Sequence, residues 1–210
     1  MDWQALQPQA DHKRVLIVEG LNPRSVGSIS EEILLVEVAG QLALRRTQLL
    51  ESPELGDRSS VTVVFRDTFL PHSHFDITNA YNISVAYKGT AVAGKKQVAG
   101  GKVIAIRADL RAPVFDAHSI EMVLRLLPLT DDYVAELPVF HAARGERMMV
   151  TLQAIGREIV TDSMGSLDAW KIRTEWDGVT QYYWRGVEDQ QLVRQSSRLK
   201  AGVYLEFARG

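Results

Sequence analysis

Hydrophobic and polar residues alternate along much of this chain, and the clearest example lies near its C-terminus. Trp170, Ile172 and Trp176 fall on one side of an extended segment, whereas charged residues occupy most of the positions between them. This period of two predicts a β-strand with one buried face. Asp177-Gly178 is a tight-turn signal, and the segment 179–184 returns as the second strand of a hairpin.

Short strands separated by turn signals are predicted in the rest of the chain as well. A polar lead-in over residues 1–13 is expected to lack regular structure, and residues 20–27 are rich in turn formers and are expected to form a loop. The predicted strands cover residues 15–19, 31–39, 41–50, 60–67, 81–87, 132–140 and 146–155, with a strand pair in 98–110 broken at Gly100-Gly101 and five strands in all within 146–208. This regular spacing predicts a meandering antiparallel sheet in one continuous domain over residues 1–210.

One segment has helical periodicity instead. Between Asp116 and Leu127, apolar residues recur at i, i+3, i+4 and i+7, which places them on one face of a helix. They are Ile120, Val123, Leu124 and Leu127. Asp116 is a suitable N-cap, and Pro128 ends the helix because the residue before a proline is displaced from the α region. The sequence thus predicts one amphipathic helix over residues 116–127.

A meander of about ten strands or more cannot stay flat, because strand twist accumulates until the sheet curls, splits or closes. The predicted fold is therefore mainly β: a curved antiparallel sheet, or half-barrel, with the amphipathic helix packed on its concave face. The space between helix and sheet is either a cavity that receives an apolar ligand or a core filled by the protein's own side chains. Periodicity does not decide between the two, and a filled core is the simpler interpretation.

Composition and charge exclude several classes of protein. The 210 residues are 46% hydrophobic and 24% charged, which is typical of a globular chain that can bury a substantial core. A formal net charge of −2 and a pI near 6.2 argue against nucleic-acid binding, which needs a basic face. The chain has no cysteine, so disulfides, thiolate nucleophiles and thiolate metal sites are excluded.

The cellular compartment is left open by the sequence. No apolar stretch reaches the roughly 18–20 residues that cross a bilayer, so no transmembrane segment is expected. The first residues lack the basic-then-apolar order of a secretory signal. We expect a cell-envelope protein if a signal peptide has been removed, and a cytoplasmic protein otherwise.

The motif His72-Ser73-His74-Phe75-Asp76 is the sharpest chemical signal in the chain. It matches the His-x-His-x-Asp spacing with which binuclear metallohydrolases hold their metals, and in a strand the two histidines would share a face. However, Ile77 stands where those enzymes have a further histidine, and their α/β pattern is missing. The remaining histidines are His12, His118 and His141. A metal site made of His72, His74 and Asp76 is therefore one hypothesis, and exposed polar histidines on a hairpin are the other.

Other chemical motifs are incomplete. No Gly-x-Ser-x-Gly nucleophile elbow is present, and residues 163–166 are expected to form a turn. Gly100-Gly101-Lys102 precedes a strand-like segment, so it offers no helix N-terminus to a phosphate. The pair Glu31-Glu32 is expected to be a solvated strand end, and Arg45-Arg46 is too small a basic cluster to bind acidic headgroups. We assign no catalytic residue and no cofactor.

Large aromatic side chains are concentrated in the hairpin at 170–184. Trp170 and Trp176 alternate regularly with charged residues, which favours ordinary core packing for them. Tyr182, Tyr183 and Trp184 are consecutive and must occupy both faces, so at least one large ring lies away from the core. That ring contacts a ligand if its surroundings are dry and concave, and a protein partner if they are wet. The candidate ligand-binding residues are Trp170, Trp176, Tyr182, Tyr183, Trp184, Ile120, Val123, Leu124 and Leu127.

A set of strand and turn motifs extends over residues 60–208. It comprises the turn Gly156-Arg157-Glu158, Gly165, the segments 168–172, 183–184 and 192–194, and upstream the segments 69–74, 87–94 and 124–129. In this order the motifs resemble a bacterial family of unknown function that is allied to lipoprotein-localisation proteins of the LolA and LolB type. The resemblance implies a half-barrel with a helix in its mouth and, as in the better-known relatives, an apolar cavity that receives lipid chains. It implies no catalytic signature, and the chain has no lipobox cysteine.

The leading functional hypothesis is a non-enzymatic half-barrel that binds an apolar ligand such as a lipid or acyl chain, as a carrier or an envelope-assembly factor. A structural or protein-interaction module with a filled core is the first alternative. A metal-dependent hydrolase that uses His72, His74 and Asp76 is the second. The expected partner is an apolar small molecule, a lipid or a protein, and not a nucleic acid.

Overall fold

Fifteen β-strands form one curved, unclosed sheet in the computed structural model, which describes residues 6–162 and 165–209. The strands are β1 (Gln9–Glu19), β2 (Asn22–Val38), β3 (Gln41–Glu51), β4 (Arg58–Phe65), β5 (Pro71–Thr78), β6 (Tyr81–Lys88), β7 (Ala91–Val98), β8 (Val103–Asp109), β9 (Phe115–Asp116), β10 (Val134–His141), β11 (Glu146–Asp162), β12 (Gly165–Trp176), β13 (Val179–Gly186), β14 (Leu192–Lys200) and β15 (Val203–Arg209). Between β9 and β10, a 3₁₀ turn at Ala117–Ser119 leads into helix α1 (Ile120–Arg125). The mainly β half-barrel predicted from the strand spacing is thus confirmed.

The first and last strands of the chain pair in the middle of the sheet. β1 lies beside β15, so the strand order runs from β8 down to β1 and then from β15 back to β9. We call β1–β8 the N-terminal arm and β9–β15 the C-terminal arm. Neighbouring strands pair antiparallel except β9 and β10, which are parallel. The five strands predicted within 146–208 are β11–β15, although β11 alone is 17 residues long.

One face of each arm is buried around α1, which lies on the concave side of the sheet as predicted. Ile33 and Leu44 of the N-terminal arm share an apolar cluster with Leu152 and Ile172 of the C-terminal arm. The helical segment contributes Ile120, Met122, Val123, Leu124, Leu126 and Leu127 to the same cluster. The alternation of each strand therefore directs its apolar residues to one common core.

The free ends of the two arms overlap. Phe140 of β10 belongs to a second apolar cluster with Ile83, Val85 and Tyr87 of β6. The Lys96 ammonium on β7 also donates to the carbonyl of Ala143, which follows β10, at 3.0 Å. Side-chain packing, rather than a continuous hydrogen-bond ladder, therefore brings the ends of the curled sheet together.

Some element boundaries differ from the predicted ones. β1 begins at Gln9, so the end of the expected lead-in is a strand paired with β2. Asn22 already opens β2, which reduces the expected loop at 20–27 to a two-residue turn, because pairing with β1 overrides the local turn propensity. Residues 117–119 form a 3₁₀ turn rather than part of an α-helix. The expected turn at 163–166 lies partly outside the described residues.

No helix in the described part of the chain is both long and apolar enough to cross a bilayer.

Truncation of Leu124 should test how far the helix supports the core. Leu124 is fully buried, so Leu124→Ala is expected to lower the free energy of unfolding by about 2–5 kcal/mol through lost apolar burial and the cavity left behind. Leu21→Ala is the matched control because Leu21 is 97% exposed, and it should change stability by less than about 0.5 kcal/mol. Urea denaturation measures both, and equal midpoints for the two variants would contradict the packing described above.

Candidate functional site

A cavity of about 280 Å³ lies between α1 and the concave face of the sheet. Its volume is close to the lower end of the roughly 300–1,000 Å³ typical of small-molecule pockets. The lining residues come from both arms and from the helical segment, so the arms and α1 together build the space. The protein's own side chains do not fill it.

The two sides of the cavity differ in chemistry. The C-terminal arm contributes mainly apolar and aromatic side chains, namely Val139, Met148, Val150, Trp176, Tyr183, Leu192 and Phe207. The N-terminal arm and α1 contribute mainly charged and polar side chains, namely Lys13, Glu31, Arg46, Gln48, Arg58, Glu121 and Arg125. We call these the apolar wall and the charged wall. Such a cavity is suited to a ligand with one apolar and one polar part.

Glu31 is the centre of the charged wall. Its carboxylate accepts hydrogen bonds from Arg46 on β3 and from Arg125 on α1, both at 2.5 Å. Arg46 also donates to Glu121 and, at 2.7 Å, to the backbone carbonyl of His118. Burial alone would raise the pKa of the Glu31 carboxyl, but Arg46, Arg125 and Lys13 outweigh it and lower the pKa to about 2. This network therefore holds α1 against the N-terminal arm by buried, charge-assisted hydrogen bonds.

The C-terminal arm holds the other end of α1 through Arg185 on β13. The guanidinium donates to the carbonyl of Leu127 at 2.7 Å and to those of Leu124 and Arg125 at 3.3 Å. Carbonyls at the end of a helix have no partner within the helix, so a cation placed there satisfies them. Burial lowers the pKa of Arg185 to about 10, which still leaves it protonated at neutral pH. The helix is thus fixed by one arginine from each arm.

A second polar group lies beside the cavity, where β5 meets the 3₁₀ turn. Ligand-type atoms of His74, Asp76 and His118 lie within 4.8 Å of one another. The imidazoles of His74 and His118 are stacked, with ring centroids 4.1 Å apart and planes inclined by 10°. His74 Nδ1 is 3.0 Å from the Thr62 hydroxyl, whereas its buried Nε2 has no partner among the described residues. The strand register and the turn thus bring together residues that are far apart in the sequence.

Arg58 already forms hydrogen bonds with two of these three residues. Its Nε donates to Asp76 at 3.0 Å and its Nη2 donates to His118 Nδ1 at 2.8 Å. Because a guanidinium can only donate, Nδ1 of His118 must accept and carries no proton. Burial lowers the pKa of His118 well below its usual range, and His74 and Arg58 lower it further. His118 is therefore a neutral imidazole at neutral pH.

Asp116 connects this group to the rest of the fold. Its fully buried carboxylate accepts a hydrogen bond from the Tyr87 hydroxyl at 2.5 Å and one from the backbone N–H of His118 at 2.8 Å. The second bond is the N-cap interaction that the sequence predicts for Asp116, although it caps the 3₁₀ turn rather than an α-helix. Burial, reinforced by Asp116, raises the pKa of the Tyr87 hydroxyl. Asp116 thus fixes the turn that carries His118.

The predicted ligand-binding residues are distributed over three environments. Ile120, Trp176 and Tyr183 line the cavity. Trp170, Val123, Leu124 and Leu127 are packed in the main core cluster. Trp184 lies in a separate cluster with Val160, Ala169 and Val193, and Tyr182 packs against that cluster. The consecutive rings therefore occupy both faces of β13, as their spacing predicts.

The predicted metal-site residues are not brought together as a set. His74 and Asp76 are both buried, whereas His72 packs its ring edge-on against Phe65, with centroids 5.5 Å apart. A register irregularity between Val63 and Val64 in the pairing of β4 with β5 separates His72 from the alternation of His74 and Asp76. His118 stands in the place that His72 was expected to fill.

Sequence reasoning missed the charged wall. Glu31 was expected at a solvated strand end and Arg46 was dismissed as part of too small a basic cluster, yet Glu31 is 7% and Arg46 3% exposed. The missed signal is strand parity: Glu31 alternates with the buried Ile33, and Arg46 with the buried Leu44. A charged residue at a buried position of a strand marks either a paired charge or a site.

The curved sheet with an internal helix and a cavity defines a β-barrel-like class of protein. Within that class, the chain belongs to the family described as Protein of unknown function (DUF3108), whose model matches residues 44–207. It is similar to the crystal structure of a beta-barrel-like protein of domain of unknown function DUF1849 from Brucella abortus, with a TM-score of 0.61 and 9% identity over 96% of this chain and 94% of that one. At this identity the likeness shows the fold alone. No curated protein matches the chain significantly. Neither match names the LolA and LolB type, so that part of the expected resemblance stays a prediction.

Protonation of His118 should make the fold sensitive to mild acid. A histidine whose pKa is lowered in the folded state contributes its full share of stability above its unfolded value of about 6.5, and that share is lost as the pH falls below it. Urea midpoints are therefore expected to fall between pH 7.5 and 5.5, and His118→Gln should reduce this dependence. His141, whose pKa is also lowered, accounts for part of the remainder.

His12→Gln is the control for this measurement because His12 is exposed on β1. Glu31 does not interfere, since its lowered pKa affects stability only below about pH 4.5. An unchanged pH dependence in His118→Gln would contradict the assignment of a buried, neutral imidazole.

Proposed function

We propose that this protein is a non-enzymatic half-barrel that binds an apolar ligand, such as a lipid or acyl chain, between α1 and the sheet, as a carrier or an envelope-assembly factor. The observation that carries the proposal is the unfilled cavity of about 280 Å³ with its apolar wall. A structural module with a filled core would have no need for such a space. Affinity would come from apolar burial, on the order of 25 cal/mol per Å² removed from water.

The dimensions of the cavity favour a slender ligand. A volume near the lower limit for small-molecule pockets suits one acyl chain better than a lipid with two. Trp176 and Tyr183 would offer flat aromatic surfaces to such a chain, and Met148 would adapt to its shape. The helix side is closed by Ile120 and Ala117.

Native mass spectrometry after gentle extraction tests this proposal directly. A co-purified mass that disappears on organic extraction is expected, together with binding of the neutral fluorophore N-phenylnaphthylamine by the delipidated protein. Ala117→Leu should weaken fluorophore binding severalfold because the larger side chain enters the cavity. Ala105→Leu, on the exposed side of β8, is the matched control and should bind as the wild type does. A clean apo mass combined with no fluorophore binding would refute the proposal.

The second candidate function is the metal-dependent hydrolase, and one observation favours it. The side chains of His74, Asp76 and His118 are ligand types that zinc, manganese and iron accept, and they converge within 4.8 Å. Arg58 opposes it, because its positive charge is bonded to two of the three groups and the stacked rings cannot both aim lone pairs at one ion. We therefore rank it behind apolar-ligand binding.

Metal content separates the two candidates. We expect elemental analysis of the purified protein to find less than one equivalent of zinc, manganese or iron per chain, and the melting temperature to be unchanged by added metal, because Arg58 occupies the ligand atoms. Stoichiometric metal that is lost in His74→Gln but retained in His72→Gln would reverse the ranking.

A further inference from the structure

We propose that the charged wall selects an anionic amphiphile, a single apolar chain whose acidic head accepts hydrogen bonds from Lys13, Arg58 and Arg125. This inference rests on the proposed function and goes beyond it, because apolar burial alone would accept a neutral or a cationic head equally well. A carboxylate and a phosphate offer the same kind of acceptor oxygens, so the acidic head belongs to one of these two classes.

The first support is the sign of the charge that faces the cavity. Among the described residues, five cationic side chains line it, and two carboxylates, those of Glu31 and Glu121, line it with them. The five are Lys13, Arg46, Arg58, Arg125 and Arg194. The carboxylates that pair with three of these cations, Asp11 with Lys13, Asp76 with Arg58 and Glu206 with Arg194, are not part of the lining. The charge exposed to a ligand is therefore positive even though the wider network is nearly balanced.

The second support is a surplus of hydrogen-bond donors. Both oxygens of Glu31 accept hydrogen bonds from arginine, so this carboxylate has little left to offer a cationic ligand. Arg125 is 2% exposed and lines the cavity, yet its Nε and Nη1 have no partner in the described part of the chain. Arg58 uses Nε and Nη2 for Asp76 and His118, which leaves Nη1 for a ligand. Unsatisfied buried donors are costly, so a shift of the Arg125 side chain that brought them to an acidic oxygen would be favourable.

The third support is the position of these donors relative to the apolar wall. Four of the five cations are on β1, β3, β4 and α1, and only Arg194 is on the C-terminal arm, from which Met148 and Trp176 also face the cavity. A head held at the charged wall therefore leaves its chain against aromatic and aliphatic surface. Glu121, 25% exposed, shares the charged wall, but Arg46 and Gln48 both donate to it. Its charge is thus offset within the protein.

Four ligands with the same chain and different heads provide the test. Dodecanoate, dodecyl phosphate, dodecanol and dodecyltrimethylammonium are titrated below their micelle concentrations against delipidated full-length protein loaded with N-phenylnaphthylamine. We expect both anions to displace the fluorophore at about ten-fold lower concentration than dodecanol, and the cation to be the poorest competitor. The ratio of the displacing concentrations of dodecanoate and dodecyl phosphate identifies the preferred head. The preference for anions over dodecanol should decrease as salt is added.

Arg58→Gln provides the residue-level test. The Arg58 side chain is 35% exposed, and its replacement should reduce the anion preference severalfold, measured as the ratio of the anion and dodecanol concentrations that displace the fluorophore. Arg58→Lys keeps the charge and should retain most of the preference. Arg24→Gln is the matched control, because Arg24 pairs with Glu54 on the surface outside the cavity. Lys13→Gln is the second variant, should Arg58→Gln fail to fold.

The outcomes separate this inference from the proposed function. If dodecanol binds but neither anion binds more tightly, or if the trimethylammonium ligand binds best, the anionic selectivity is wrong and the apolar-ligand proposal stands. If the delipidated protein binds neither the fluorophore nor any of the four ligands, and no lipid co-purifies, both proposals are wrong. An anion preference that survives both Arg58→Gln and Lys13→Gln unchanged would overturn the assignment of the head to the charged wall.

Discussion

The buried contact of Glu31 with Arg46 and Arg125 is the interaction on which the rest of this structure depends. It joins α1 to β2 and β3, two strands that already pair with each other as neighbours in the sheet. Two buried guanidinium groups around one carboxylate are tolerable only while all partners are present, because removal of one leaves charges unpaired in a medium of low dielectric constant. The network therefore constrains where α1 can lie on the concave face.

The fold was largely predictable, because strand alternation is a local property of the sequence. The inward positions of Trp170, Ile172 and Trp176 follow from their spacing, and Tyr183 and Trp184 occupy opposite faces simply because they are adjacent. The helix was recognisable because the apolar residues Ile120, Val123 and Leu124 recur at the spacing of one helix face. The pairing of β1 with β15 was not predictable in this way. It joins the two ends of the described chain, and no local pattern specifies which distant strand completes a curled sheet.

The candidate site was less predictable than the fold, for two physical reasons. Its composition depends on register, and one irregularity beside Val63 is enough to take His72 out of the alternation of His74 and Asp76. It also depends on a crossing segment, because His118 reaches β5 only when the 3₁₀ turn passes over the N-terminal arm. A sequence motif within one strand reveals neither the register irregularity nor the approach of a distant segment. The charged wall was hidden differently: Glu31 and Arg46 look like ordinary surface residues until their parity with Ile33 and Leu44 is followed.

The asymmetry between the two walls connects the fold to its proposed use. The C-terminal arm supplies the apolar surface, and the N-terminal arm supplies paired charges. Arg46 and Arg185 donate to carbonyls of the helical segment, which also packs in the apolar core, so both kinds of contact hold the helix beside the cavity. A space maintained in this way is available to a ligand without unfolding any element. The charged side chains that hold the helix beside the cavity are then also the ones that a bound ligand would contact.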